Sequence, residues 1–209
     1  MKSIILRVML ALAALSIVPN ALAADSEGGS VFLDAKYGAL LGKGASTGDV
    51  GNSGDSTTAW GADGGYLWKL DDVRSWGFEA GYMHFGQISN DTDANEFFNG
   101  NTTASAITVG VHLEFFLGGD KATIVQLRGG LAHAKFDSAF SSFPPDGRPT
   151  QSGTSSSYGN GPYLGIGIGR QLTQSFSVFL AYNNYNVSGS DRQTDLNVNW
   201  LGLEAEYRF

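Results

Sequence analysis

Ile107-Thr108-Val109-Gly110-Val111-His112-Leu113-Glu114-Phe115 alternates, residue by residue, between an apolar side chain and a small or polar one. A strand turns successive side chains to opposite faces, so this stretch reads as β, with one apolar wall and one polar wall. The end of the chain repeats the pattern: Leu201, Leu203, Ala205, Tyr207 and Phe209 oppose Gly202, Glu204, Glu206 and Arg208. Val125, Leu127 and Leu131 likewise oppose Gln126, Arg128 and Gly130. Followed outward, period two predicts eight strands: Val31 to Leu41, Ala59 to Leu70, Ser75 to Phe85, Ser105 to Leu117, Ala122 to Phe136, Gly161 to Leu172, Phe176 to Val187, and Leu196 to Phe209.

The connections alternate in length. Asp71 to Arg74, Gly118 to Lys121 and Thr173 to Ser175 are tight turns, whereas Gly42 to Thr58, Gly86 to Ala104, Asp137 to Asn160 and Ser188 to Asp195 read as long polar loops. Short turns at one end and long loops at the other are the pattern of a transmembrane barrel. Pro144, Pro145 and Pro149 fall in one loop, and Pro162 is expected to open a strand. Alternation alone would also suit a soluble sandwich, and two features favour a membrane. Aromatic rings gather near the tight turns: Trp68 and Trp76, Phe115 and Phe116, Phe176, then Tyr207 and Phe209. Such rings form an interfacial girdle. The polar faces alternate Gly with charge, as at Gly61, Gly65, Gly165, Gly167 and Gly169, which makes room for larger neighbours such as Arg128 inside a narrow barrel.

The N-terminus gives the compartment. Lys2 and Arg7 precede an apolar run from Val8 to Val18, and small residues follow up to Ala24. Residues 1–24 therefore read as a secretory signal peptide, cut after Ala23 or Ala24, with 25–209 as one barrel domain. Losing Lys2 and Arg7 takes the formal net charge from −7 to −9. An acidic chain without a basic run does not suit nucleic acid. The absence of Cys excludes disulfides and thiolate metal sites.

The aromatic C-terminus Tyr207-Arg208-Phe209 after an alternating strand, the signal peptide and the four long loops together resemble the OmpA-type superfamily of small outer-membrane barrels, which includes OmpX-like and Ail-like proteins. The resemblance covers the mature chain and is mostly architectural. It implies an eight-stranded antiparallel up-and-down barrel in the bacterial outer membrane. It also implies that Phe209, with Tyr207 beside it, is read by the barrel-assembly machinery. Since the sequence stops at Phe209, no periplasmic peptidoglycan-binding domain is expected.

For chemistry, the inward face is expected to gather Asp34, Lys36, Lys69, Glu79, Glu114, Arg128, Glu204, Glu206 and Arg208 into ion-pair networks. One reading is a structural plug; the other is a gate in which Arg128 exchanges carboxylate partners, as the resemblance suggests. His84, His112 and His133 lie on separate strands, and none can be placed beside a nucleophile, so no catalytic, cofactor or metal residues are expected and the chain reads as a non-enzyme. Gly165-Ile166-Gly167-Ile168-Gly169 lacks a βαβ context and is a strand face, not a nucleotide loop. The acidic loops suit divalent cations bridging to lipopolysaccharide phosphates, and they argue against anionic glycans. Phe97, Phe98, Phe140 and Phe143 are candidate loop contacts for a surface protein ligand. Envelope integrity with possible surface adhesion is the expected role, with a narrow gated pore and then a lipid-modifying enzyme as alternatives.

Overall fold

The computed structural model describes residues 28–41, 46–47, 58–92, 98–142, 151–189 and 194–209. The expected signal peptide lies outside them. The strands are β1 (Gly29–Leu41), β2 (Ser46–Thr47), β3 (Thr58–Asp71), β4 (Arg74–Thr92), β5 (Phe98–Leu117), β6 (Thr123–Ser142), β7 (Gln151–Gln171), β8 (Phe176–Gly189) and β9 (Thr194–Arg208). Each long strand pairs antiparallel with the next, and β1 pairs with β9, closing an eight-stranded barrel; β2 only flanks β9. Closure leaves every barrel strand paired on both sides, the condition for a sheet in lipid.

The two faces of each strand separate cleanly. Val109, Val111, Leu127, Leu164, Ile166, Leu180 and Leu203 all point outward and are exposed, Leu164 by 67 %. Leu113, Val125 and Val178 lie on the same face, half-buried. An exposed apolar band of this extent belongs against lipid rather than water. On β5 it runs from Ile107 to Leu117; ten residue steps of about 3.4 Å, tilted by about 40°, cover roughly 25 Å, the apolar height of an outer-membrane barrel. Trp68 and Trp76 stack at 5.2 Å beside Tyr66 and Phe78, forming an aromatic group near the first tight turn. Phe116 departs from the expected girdle: it shares the lining of a cavity at the turn end with Arg208.

Two expected loops are largely strand. Pairing of β4 with β5 continues to Thr92↔Asn99, and pairing of β6 with β7 continues to Ser142↔Gln151. The described residues among those assigned from sequence to the Gly86–Ala104 and Asp137–Asn160 loops thus extend the sheet well past the apolar band. The physical reason is plain. Beyond the lipid both faces are wet, so Ser, Thr, Asn and Gly occupy both and the hydropathy signal disappears while the hydrogen-bond ladder goes on. Gly86, with φ of +74°, sits at a register shift after His84, a bulge where β4 leaves the band. Pro162 does not open a strand. It lies inside β7, where β7–β8 pairing is interrupted between Asn160 and Tyr163, a gap its missing N–H tolerates.

The tight turn between β3 and β4 is held by Asp71. Its Oδ1 accepts the Val73 N–H at 2.9 Å, and its Oδ2 accepts Arg74 Nε and Nη2 at 2.8 and 2.6 Å. Arg74 above all holds the Asp71 carboxyl below the usual carboxylate range. Folding depresses this pKa, so its stabilising effect is present above the unfolded value of about 3.9 and is lost as pH falls through the folded value. An NMR titration of Asp71 should show a midpoint below that of a free Asp, and Arg74→Ala should return it; an identical midpoint in both proteins would remove Arg74 as the cause.

Candidate functional site

The inward-pointing residues divide the lumen into three layers. The loop half is apolar: Trp200, Tyr185, Phe85, Phe136 and Met83 are buried among Ala104, Ala106, Ala132, Ala134 and Ala181. Large rings from some strands are accommodated by Ala on others, with Phe85 and Tyr185 in edge contact at 5.0 Å. Sequence reasoning missed this layer because the residues are alternating small and large on what reads, nearer the turns, as a polar face.

The middle layer is ionic and centres on Arg128 of β6. Its Nη2 donates to Asp34 Oδ2 at 2.6 Å and its Nη1 to Asp63 Oδ2 at 2.8 Å. Glu79 and Glu204 each approach the guanidinium at 3.3 Å. Carboxylates from β1, β3, β4 and β9 therefore converge on one cation from β6. Lys36 pairs with Asp63 and lies 3.6 Å from Glu204 Oε1, its cross-strand partner. Neutral groups supply further hydrogen bonds to two of the carboxylates. Gln126 and Asn183 both donate to Glu204, and Tyr163 OH donates to Glu79 Oε1 at 2.6 Å. Arg128 stands beside His112 in register but takes its carboxylates from across the lumen.

The third layer lies at the turn end. Arg208 Nη2 donates to Glu114 Oε1 at 2.5 Å and its Nε to Glu206 Oε1 at 2.7 Å, with its guanidinium 5.6 Å from the Phe116 ring centre. His112 is fully buried between the two ionic layers, edge-on to Phe32. Below Arg208 a vestibule of about 480 Å³ opens, lined in part by Ser75, Phe116 and Lys121.

Eight of the nine charges expected inside are thus brought into the lumen, in two clusters. Lys69 is corrected: its side chain is 58 % exposed at the turn rim and pairs with Asp72 at 3.2 Å, because at the turn end of β3 it lines the open vestibule rather than the closed lumen. Asp63, Gln126, Asn183 and Tyr163 were not singled out from sequence. Asp63 falls on the inward face of β3 between Gly61 and Gly65, and that parity was the available signal. The inward glycines act locally: a Cβ at Gly165 would meet Asn183, at Gly167 Gln126, at Gly169 Phe179 and at Gly65 Phe32. At Gly110 it would meet the Tyr163 hydroxyl and the Gly129 carbonyl oxygen. Gly110→Val should cost about 1–3 kcal/mol by displacing Tyr163 from Glu79; an unaltered urea midpoint would contradict this packing.

Of the candidate loop contacts, Phe98 and Phe140 lie in β5 and β6 rather than in loops, and Phe97 and Phe143 lie outside the described residues.

A closed barrel with an apolar outer band and a filled lumen suits an outer-membrane protein, and the sequence agrees: the profile of the outer membrane protein beta-barrel domain matches residues 8–209. The chain belongs to this family. The solved structures similar to this outer-membrane barrel include Ail, the attachment invasion locus protein of Yersinia pestis, in complex with the heparin analogue sucrose octasulfate. That chain is 16 % identical with a TM-score of 0.50, over 87 % of this chain and 99 % of Ail. A major outer membrane protein from Thermus thermophilus is 14 % identical, TM-score 0.49, over 87 % and 99 % of the two chains. Neisserial surface protein A is 11 % identical, TM-score 0.48, over 86 % and 97 %. No curated protein sequence matches significantly. At these identities the likeness concerns the barrel alone, and family membership places the protein in the bacterial outer membrane.

Proposed function

We propose that this outer-membrane barrel is a non-enzymatic structural and surface protein, whose sealed lumen anchors a sheet projecting from the membrane. The observation that carries the reading is the pairing of a filled interior with strands β4 to β7 that outrun the lipid band. A lumen packed with Trp200, Tyr185 and Phe85 above the Arg128 cluster offers rigidity rather than passage. The projecting sheet offers area. Its outward side carries polar pairs, with Lys135 Nζ 2.8 Å from Asp137 Oδ1 and Ser156 donating to Asp137 at 2.6 Å.

Ail binds a heparin analogue, but this chain is acidic overall, and polyanions favour clustered Lys and Arg. A protein ligand, or lipopolysaccharide phosphates bridged by divalent cations, fits the charge better. To test the role, a strain lacking the protein is complemented with the whole chain or with one whose β4–β5 hairpin is closed at the Ile88↔Thr102 pair. Detergent sensitivity should be rescued by both, and attachment to cells or surfaces by the whole chain only. A deletion strain with normal detergent resistance and normal attachment would end the proposal.

Assembly is the second part of the reading. Phe209 donates its N–H to Val31 O at 3.0 Å and its ring packs on Tyr207 at 4.9 Å, leaving an aromatic pair at the barrel seam. Deleting Phe209 should lower the amount of folded protein in outer membranes several-fold; equal amounts would remove the terminal ring as a signal to the assembly machinery.

The gated pore is kept as a second reading because Arg128 lies within 3.3 Å of four carboxylates and could trade among them.

A further inference from the structure

The charges of the lumen do not balance. Among the described residues six buried carboxylates, Asp34, Asp63, Glu79, Glu114, Glu204 and Glu206, face three cations, Lys36, Arg128 and Arg208, a formal excess of three negative charges. Uncompensated charge away from water is costly, so such an interior attracts cations or protons. Buried carboxylate oxygens without a hydrogen-bond partner occur in both clusters: Asp34 Oδ1 and Glu79 Oε2 in the middle layer, and a closer group at the turn end. Arg208 engages Oε1 of both Glu114 and Glu206, and Oε2 of each is buried without a hydrogen-bond partner. Both ring nitrogens of the fully buried His112 also lack a partner of good geometry. Gln126 beside the ring has its amide committed to Glu204 and Arg128.

We propose that His112, Glu114 and Glu206 bind one divalent transition-metal ion of the zinc class. One ligand atom from each of the three lies within 4.8 Å of the others. A tetrahedral ion with bonds of about 2.1 Å keeps its ligands about 3.4 Å apart, so modest side-chain rotation closes the set. A carboxylate stands behind the ring, at ion-pair rather than hydrogen-bond range. His112 Nδ1 faces Glu79 Oε2 at 3.5 Å, and Glu79 is itself fixed by Tyr163, which gives the carboxylate–histidine–metal order that orients metal-binding imidazoles. His112 Nε2 is then turned toward the Glu114 carboxylate, 3.8 Å from Oε1, the oxygen that Arg208 also holds, so rotation of that carboxylate is needed to present its free Oε2. An imidazole ligand favours zinc-like ions over Mg²⁺ or Ca²⁺, which prefer all-oxygen sites.

The ion would reduce the excess negative charge from three to one. β5 supplies His112 and Glu114 and β9 supplies Glu206, and these strands are diametrically opposed in the closed order. The ion therefore joins opposite walls near the turn end. Entry is from the vestibule, whose inner end is lined by Arg208, with its side chain 14 % exposed.

The test uses full-length protein without a polyhistidine tag, extracted folded from membranes in detergent, stripped with chelator and titrated with Zn²⁺ or Mg²⁺. One tightly held Zn²⁺ per chain is expected, with no comparable Mg²⁺ site. His112→Gln and Glu206→Gln should each weaken zinc binding at least 100-fold, and Glu79→Gln about 10–100-fold as an orienting partner. Heat-dependent gel mobility shows which variants are folded, and the two ligand variants back each other up if one is not. His84→Ala/His133→Ala, which removes the other two histidines, should bind as the parent does. Zinc lost from that double variant but kept by His112→Gln would overturn the proposal. So would a folded parent that takes up no zinc, its excess charge then being balanced by protons.

Discussion

Replacing Arg128 by Met should lower stability by about 3–5 kcal/mol, the largest effect expected of any single lumen substitution. The side chain volume is nearly kept, so the loss is electrostatic. Asp34 and Glu79 would then have no direct cationic partner in the middle layer, while Lys36 would remain with Asp63 and Glu204. Four carboxylates would share one ammonium in a space closed above by rings. Urea unfolding in detergent or lipid reads the change directly through the midpoint. A double-mutant cycle sharpens it: Glu204→Gln in the Arg128→Met background should cost less than in the parent, because the carboxylate removed is by then a liability. A midpoint unmoved by Arg128→Met would mean that water or ions already reach these carboxylates, and the plugged lumen would be wrong.

Leu127→Arg, one residue along the same strand, tests the opposite wall. Leu127 points outward, 38 % exposed, between Leu113 of β5 and Ile166 of β7. Its place near the middle of the apolar band predicts a loss of roughly 2–4 kcal/mol in lipid. The same change at Thr123, the first residue of β6 and close to the turn rim, should cost about 0–1 kcal/mol, because a charge near the interface is solvated. Equal midpoints for Leu127→Arg and the parent would reverse the face assignment. Together with Arg128→Met, this pair reads the two sides of one strand from adjacent residues.

How legible the fold was in the sequence follows from what the solvent demands of each segment. Where lipid covers one face, period two must persist, and the eight alternating segments coincide with the parts of the strands inside the apolar band. Where water covers both faces nothing enforces alternation, so residues 86–92, 98–104, 137–142 and 151–160 read as loop although they are paired strand. The lumen was legible by parity for Asp34, Lys36, Glu79, Glu114, Arg128, Glu204, Glu206 and Arg208. Lys69 shares that parity but lies too near the rim, and parity carries no depth. Asp63 was overlooked between glycines. The convergence on Arg128 was not legible at all: β1, β3, β4 and β9 reach it across the lumen, and only closure of the barrel brings them within reach of β6. The His112, Glu114 and Glu206 cluster is of the same kind, since two of its members are near in sequence and the third comes from the far wall.

The central claim is that this is a closed barrel whose lumen is sealed. Single-channel recording on the protein inserted in a planar lipid bilayer, with folding checked by heat-dependent gel mobility, tests it most directly. The structure predicts silence from folded parent protein and from folded Arg128→Met alike, because the layer of Trp200, Tyr185 and Phe85 closes the lumen above the ionic cluster. Discrete openings in the parent would contradict the sealed lumen and make the exchange of carboxylates at Arg128 a gate.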